Sequence, residues 1–354
     1  MRCRSRVLHD MLCGMNMSTH FHDRPGLLWF VAMLVVGFGC GPTPTEGVLS
    51  GGPPQAVLAA SSPLEVQLVA GDLPPQQTSL RLGIVPTIGT EAVRERYEPM
   101  ADFFSKLLGV QVTLVVGDSY SDLVDRFVNG EADLAILPPL SFLAAQDRLP
   151  SLQPVVSKVA YGTPSYSAFL VVRADDPIQE ISRLRGRRVG FVHRQSTSGF
   201  LFPYVALLDA GLDPRKDFSE VLFLGSHPEA VAALANGRVD VIGTSSGVQD
   251  SLAHALRQGR LKTAVRLRIL HKAGRIPYDV MAASPDLPLS GLQRIRDVLL
   301  SLNTLSPMGR DIWRITDKIT GWMPYDDARY DQVRRTQQRV LSHQEQMNGV
   351  RDGD

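Results

Sequence analysis

At 354 residues the chain has room for two domains, or one large one, each with a substantial apolar core. Its 44% hydrophobic and 21% charged residues are ordinary for a folded protein and exclude a fibrous or wholly unstructured chain. A net charge of +1 excludes recruitment of nucleic acid or acidic membranes by a global field, so any anion site has to be built locally.

Arg2, Arg4, Arg6 and Arg24 precede an apolar block of 12 residues, 27–38. That is too short for a membrane-spanning helix, which needs about 20 residues, and suits the apolar region of a signal peptide. Met1, Met11, Met15 and Met17 could each be the start. The block ends in Gly39-Cys40-Gly41-Pro42, which resembles a bacterial lipobox with Cys40 lipidated as the mature N-terminus. Gly37 stands where a branched aliphatic residue is usual, and a plain cleaved signal peptide is the alternative. Cys3, Cys13 and Cys40 are the only cysteines, so the exported domain would hold no disulfide, thiol nucleophile or cysteine metal cluster. Residues 41–79, rich in Pro, Gly, Ser, Thr and Ala, read as a flexible tether.

From residue 80 short branched runs alternate with helical periodicity. The pattern predicts strands at 80–85, 110–116 and 133–137, with helices at 91–108 and 120–129 and Pro138-Pro139 closing the third strand. After Ser167 the rhythm resumes, with strands at 169–172, 189–192, 221–224 and 239–242. The intervening helices are predicted at 199–210, 229–236 and 248–257, and the end of the chain from Gln337 as a polar tail. Two successive α/β units predict two lobes, each a mostly parallel sheet flanked by helices.

In such sheets ligands sit beyond the carboxyl ends of strands, where helix N-termini point. Four stretches fit: Asp118-Ser119-Tyr120, Pro139-Leu140-Ser141, Ser196-Thr197-Ser198-Gly199 and residues 243–247. The third is the most informative. Free N–H groups at a helix start carry roughly half a positive charge, hydroxyls add neutral donors, and glycine lets a ligand approach the backbone. One serine would be enough for a simple cap. Gly243-Thr244-Ser245-Ser246-Gly247 also matches the G-x-S-x-G nucleophile pattern, with Asp279 and His343 as acid and base of a serine hydrolase. No H-E-x-x-H metal motif occurs.

Five segments carry a resemblance: "YSDLVDRFVNGEADLAILPPLSFLAA", "GTPSYSAFLVVRADDPI", "LRGRRVGFVHRQSTSGFLFP", "GSHPEAVAALANGRVDV" and "TGWMPYDDARYDQVR". In this order, across residues 80–335, they resemble the phosphate/phosphite/phosphonate solute-binding proteins of ABC importers. The resemblance implies a two-lobed periplasmic-binding-protein fold with residues 80–167 and 278–343 in one lobe, 168–277 in the other, and 344–354 as a tail. It implies closure on a small phosphorus oxyanion and delivery to an ABC permease and its ATPase, with no cofactor, metal or catalysis. By matching positions it implies Ser196, Thr197 and Ser198 as the oxyanion turn, with Tyr120, Tyr166 and His227 as further cleft residues. Ser141 and Ser245 are expected to add neutral donors. The receptor is expected as a monomer on the periplasmic or cell-surface side of a bacterial membrane, anchored through Cys40. A ligand-sensing module of a signalling system is the alternative.

Two expectations concern charge. Family members that bind aminoalkyl phosphonates place acids near the cleft; here Ser245, Gly247 and Pro228 stand at such places. Without a carboxylate an ammonium would be desolvated unpaired, so phosphate, phosphite or a simple alkylphosphonate is expected over 2-aminoethylphosphonate. Without charged anchors, affinity is expected to depend only mildly on salt.

Overall fold

The computed structural model describes residues 68–69, 71–75, 77–303, 306–307, 309–310 and 318–349; the expected signal peptide, Cys40 and most of the expected tether lie outside them. The last part of that tether does not read as one. Leu68 is buried and its N–H donates to the Leu108 carbonyl at 2.7 Å, while Asp72 pairs with Arg294 at 2.7 Å. One buried leucine and one buried carboxylate are enough to fasten this segment to the body.

The first sheet is built from six strands. The chain enters through β1 (Ser79–Ile84), α1 (Thr90–Leu108), β2 (Gln111–Val116), α2 (Tyr120–Val128), β3 (Leu134–Leu137), α3 (Pro139–Arg148) and β4 (Gln153–Ala160). It then crosses to a five-stranded sheet made by β5 (Ser165–Arg173), β6 (Arg188–Phe191), α4 (Phe202–Asp209), β7 (Glu220–Phe223), α5 (His227–Ala235), β8 (Val241–Ser245), α6 (Val248–Arg257) and β9 (Leu267–Pro277). It returns through β10 (Val280–Ala283), α7 (Leu289–Ser301), β11 (Ile319–Pro324) and α8 (Asp331–Gly349). The orders are β11-β4-β10-β3-β1-β2 and β7-β6-β8-β5-β9.

The two-lobed α/β architecture is as expected, but both sheets are mixed rather than mostly parallel. β1, β2 and β3 pair parallel, as do β6, β7 and β8. The strands on either side of a lobe crossing, β4, β5, β9 and β10, pair antiparallel with their neighbours. A strand that leaves a lobe and one that re-enters it run in opposite senses, so they complete each sheet as antiparallel additions.

The first sheet is apolar on both faces. Leu134 and Ile136 of β3 pack with α1 and α7, whereas Ala135 and Leu137 face α2 and α3 in a core that continues into the second lobe. The expected polar tail is mostly the long helix α8. Its buried Val333, Thr336 and Val340 recur at helical spacing, while residues 350–354 lie outside the described part. Pro139 opens α3 rather than only ending β3, because proline is tolerated where a helix N–H has no partner. Among the described residues no helix is long and apolar enough to cross a membrane.

Candidate functional site

A cavity of about 680 Å³ lies between the lobes, lined from both sides and by the two crossings at 161–164 and 278–279. The lobes meet around it. His227 N–H, at the start of α5, donates to the Thr87 carbonyl at 3.1 Å. Leu140 N–H, in the first turn of α3, donates to Thr197 Oγ1 at 3.0 Å. Arg96 of α1 sits 2.8 Å from His254 of α6, and Lys318 and Tyr161 both reach Asp250.

The Ser-Thr-Ser turn forms one wall. Ser196 is the helix cap: its Oγ accepts from Gly199 N–H at 3.0 Å. Residues Thr197–Leu201 then form a widened turn, with Leu201 N–H reaching back to the Ser196 carbonyl at 3.0 Å. Pro203 has no N–H to offer the Gly199 carbonyl, and Val192 N–H donates there instead at 3.0 Å, tying the turn to the end of β6. The backbone N–H groups of Thr197 and Ser198 stand at the first helical positions, where no carbonyl of a preceding turn exists to receive them. All three hydroxyl residues are buried and line the cavity. Gly199 serves packing rather than ligand approach: a Cβ there would lie 2.4 Å from Val192 Cγ2.

Tyr120 opens α2 from the opposite lobe, positioned by Ser119, whose side chain caps the helix by accepting from Asp122 N–H at 3.1 Å. Its ring stacks on His193 at 5.1 Å and 9°, and its hydroxyl is buried near the Ser196 hydroxyl without a well-aligned hydrogen bond. Burial pushes the phenol well above the ordinary tyrosine range, and the Ser196 hydroxyl reduces that effect. Tyr166 is half-buried against Tyr278 at 5.0 Å, its phenol raised by burial and then by the charge of Asp279. His227 Nδ1 lies 2.9 Å from Thr244 Oγ1, and burial pushes its pKa down to about 4, so the ring is neutral at pH 7. Ser245 lines the same cavity, and its Oγ accepts from Gly247 N–H at 3.2 Å.

Tyr120, Tyr166, Ser196, Thr197, Ser198, His227 and Ser245 thus come together around one space. Ser141 does not. It lies one residue beyond Leu140 in α3, outside the lining, and its hydroxyl donates to the Gln195 carbonyl at 3.4 Å. The hydrolase arrangement is not assembled either. Ser245 ends strand β8 rather than sitting on an elbow, Asp279 pairs with Lys158, and His343 lies with Tyr204 and Asp213 outside the cavity.

Two readings of charge are corrected. Carboxylates do line the cavity, namely Asp250 and Asp279, and so do five basic side chains, Arg96, Lys158, Lys272, Arg275 and Lys318. Arg96, Lys158, Lys272, Arg275 and Asp279 arrive from α1, β4, β9 and the second crossing, elements whose sequence carries no turn motif, while Asp250 lies in the first turn of α6 and Lys318 just before β11. Asp279 was visible only as a hydrolase acid, and Lys158 sits in a strand that periodicity did not reveal. Among the described residues no group of three or more His, Cys, Asp or Glu could hold a metal ion.

Residues 82–330 match the model of the family described as ABC transporter, phosphonate, periplasmic substrate-binding protein. The chain belongs to that family. It is 27% identical over 302 residues to the phosphate-import protein PhnD of Mycolicibacterium smegmatis, covering 79% of this chain and 93% of that one. It is 25% identical over 254 residues to the phosphonates-binding periplasmic protein of Escherichia coli, covering 71% and 72%. Its fold is similar to that of PhnD1 from Prochlorococcus marinus in complex with methylphosphonate, with a TM-score of 0.65 and 20% identity over 75% of this chain and 98% of that one. The chain is therefore a periplasmic, substrate-binding component of an ABC transporter of the phosphonate class, and it binds a small phosphorus oxyanion.

Proposed function

We propose that the chain captures phosphate, phosphite or a simple alkylphosphonate between its lobes and presents the closed form to a permease and its ATPase. The observation that carries this reading is the Tyr120 hydroxyl, buried next to the Ser196 hydroxyl without a well-aligned hydrogen bond and beside the buried hydroxyls of Thr197 and Ser198. A buried donor without an acceptor costs roughly 1–3 kcal/mol, and an oxyanion in the cavity would supply the acceptor. Thr197 and Ser198 N–H groups would converge on the same oxygens, with His227, Tyr166 and Ser245 completing a shell of neutral donors. The names of the relatives support the choice, since one imports phosphate and one was solved with methylphosphonate.

The protein acts as a receptor without catalysis, as a monomer, held to the membrane through Cys40. The lobes move about the crossings at 161–164 and 278–279, where Tyr161 adopts a φ of +52° and Gly162 one of +71°.

Calorimetric titration with phosphate, phosphite and methylphosphonate tests the reading. At least one should bind with a stoichiometry of about one. Tyr120→Phe should weaken that ligand roughly 10- to 100-fold without lowering thermal stability, because it deletes an unsatisfied hydroxyl. Ser198→Asp should abolish binding by like-charge repulsion. If none of the three ligands binds, or Tyr120→Phe binds as tightly as the parent, the reading falls.

A further inference from the structure

A carboxylate lining a cavity built for an oxyanion repels its guest, so its presence calls for a reason. Asp250 stands near the rim, held by Lys318 and the Tyr161 hydroxyl. Asp279 stands deeper, on the second crossing and next to the stacked Tyr166–Tyr278 pair. Its carboxylate contacts the Lys158 ammonium, and the two side chains keep only 16% and 12% of their exposure. Lys158 also places its ammonium 5.3 Å from the centre of the Tyr278 ring. Burial alone would depress the Lys158 ammonium, but Asp279 and the neighbouring tyrosines outweigh it and raise its pKa.

This is the chemistry of a site for an organic ammonium: a mostly buried carboxylate, an aromatic face, and an oxyanion cradle in the same cavity. The ammonium in it belongs to the protein. We propose that Lys158 is the specificity-determining residue of this cavity, an internal ammonium that fills the cation place beside Asp279 and turns away ligands carrying an amino group. The inference rests on the phosphorus-oxyanion reading above and narrows it. The substituent of a preferred alkylphosphonate is uncharged, and preference over 2-aminoethylphosphonate arises because the carboxylate is already neutralised, not because it is missing. An incoming ammonium would have to displace Lys158, leaving a buried cation without its partner, or share one carboxylate with it, leaving two buried cations on one anion.

Titrations of the parent protein, Lys158→Met and the double variant Lys158→Met/Asp279→Asn with methylphosphonate and 2-aminoethylphosphonate test this. The parent should bind methylphosphonate at least roughly tenfold more tightly than 2-aminoethylphosphonate. Lys158→Met should shift the ratio of the two affinities toward the amino ligand by at least roughly tenfold, and the added Asp279→Asn should cancel that shift. Equal or tighter binding of 2-aminoethylphosphonate by the parent overturns the proposal, and this measurement does not depend on any variant folding. An unchanged ratio in a folded Lys158→Met protein that still binds methylphosphonate also overturns it, while leaving the oxyanion reading standing. Failure of the parent to bind any phosphorus ligand would sink both.

Discussion

His227 must remain neutral to sit beside Thr244 in a buried wall, and burial has driven its pKa down to about 4 from an ordinary 6.5. Between those values the unfolded chain takes up a proton that the folded chain refuses, so stability falls as pH drops through that window and is fully restored above it. A His227→Gln variant loses this slope. Urea unfolding at pH 7 and pH 4.5 should show the parent losing about 2 kcal/mol more than the variant; equal losses would mean the ring is protonated in place. At this scale the sequence was most legible where a side chain follows a strand end. Tyr120, Ser196, Thr197, Ser198 and His227 each open a helix, and helix starts announce themselves through hydroxyls, proline and changes of periodicity. Lys158 and Asp279 were not legible as a pair, because 121 residues and a lobe crossing separate them and nothing local marks either one. Ser141 misled for the same local reason: it sits in a helix start, yet its hydroxyl is taken by Gln195.

One element-level device occurs twice. Arg81, in β1, gives its backbone N–H to Asp133 at 2.7 Å and clasps the same carboxylate through Nε and Nη2 at 3.1 and 2.7 Å. Arg188, in β6, does the same to Asp240 at 2.9, 3.1 and 2.8 Å, and both pairs are 52 residues apart. Each clamp fixes the entry of a parallel strand against the chain leading to its neighbour, in register with β3 or β8. The two lobes are thus one βαβ plan used twice. Planar, forked hydrogen bonding to a mostly buried carboxylate resists replacement by lysine or by a lone charge. Asp133→Ala should cost roughly 2 kcal/mol in urea unfolding, since it strands a backbone donor as well as the guanidinium; a loss near zero would reduce the clamp to an ordinary surface pair. The parallel strands were legible because they are short and rich in branched or aromatic residues, with β1, β3, β6 and β8 mostly buried and β2 and β7 partly exposed. α3, β4, β9, β10, β11, α7 and α8 were not. β9 exposes His271, Lys272 and Arg275 at a sheet edge, so its composition resembles a loop, and α8 shows only a narrow apolar stripe.

At the scale of the whole molecule, charge is distributed to bring an anion in rather than to hold it. The chain carries a net charge of +1, yet the cavity is lined by five basic and two acidic side chains, an excess of three positive charges. Lys272 and Arg275 are exposed, whereas Ser196, Thr197, Ser198 and the Tyr120 hydroxyl are buried. Exposed charges act at a distance and are screened by salt within about 10 Å at 0.1 M, while buried dipoles act in contact and are screened little. The mild salt dependence expected from an uncharged site therefore belongs to only half of the binding reaction. Stopped-flow measurement with methylphosphonate between 50 and 500 mM salt should show the association rate falling by on the order of tenfold and the dissociation rate changing by less than about twofold. Lys272→Gln combined with Arg275→Gln should flatten the association slope and leave dissociation alone. If salt instead accelerates dissociation, exposed cations grip the bound anion, and the hydroxyl turn is not its principal anchor.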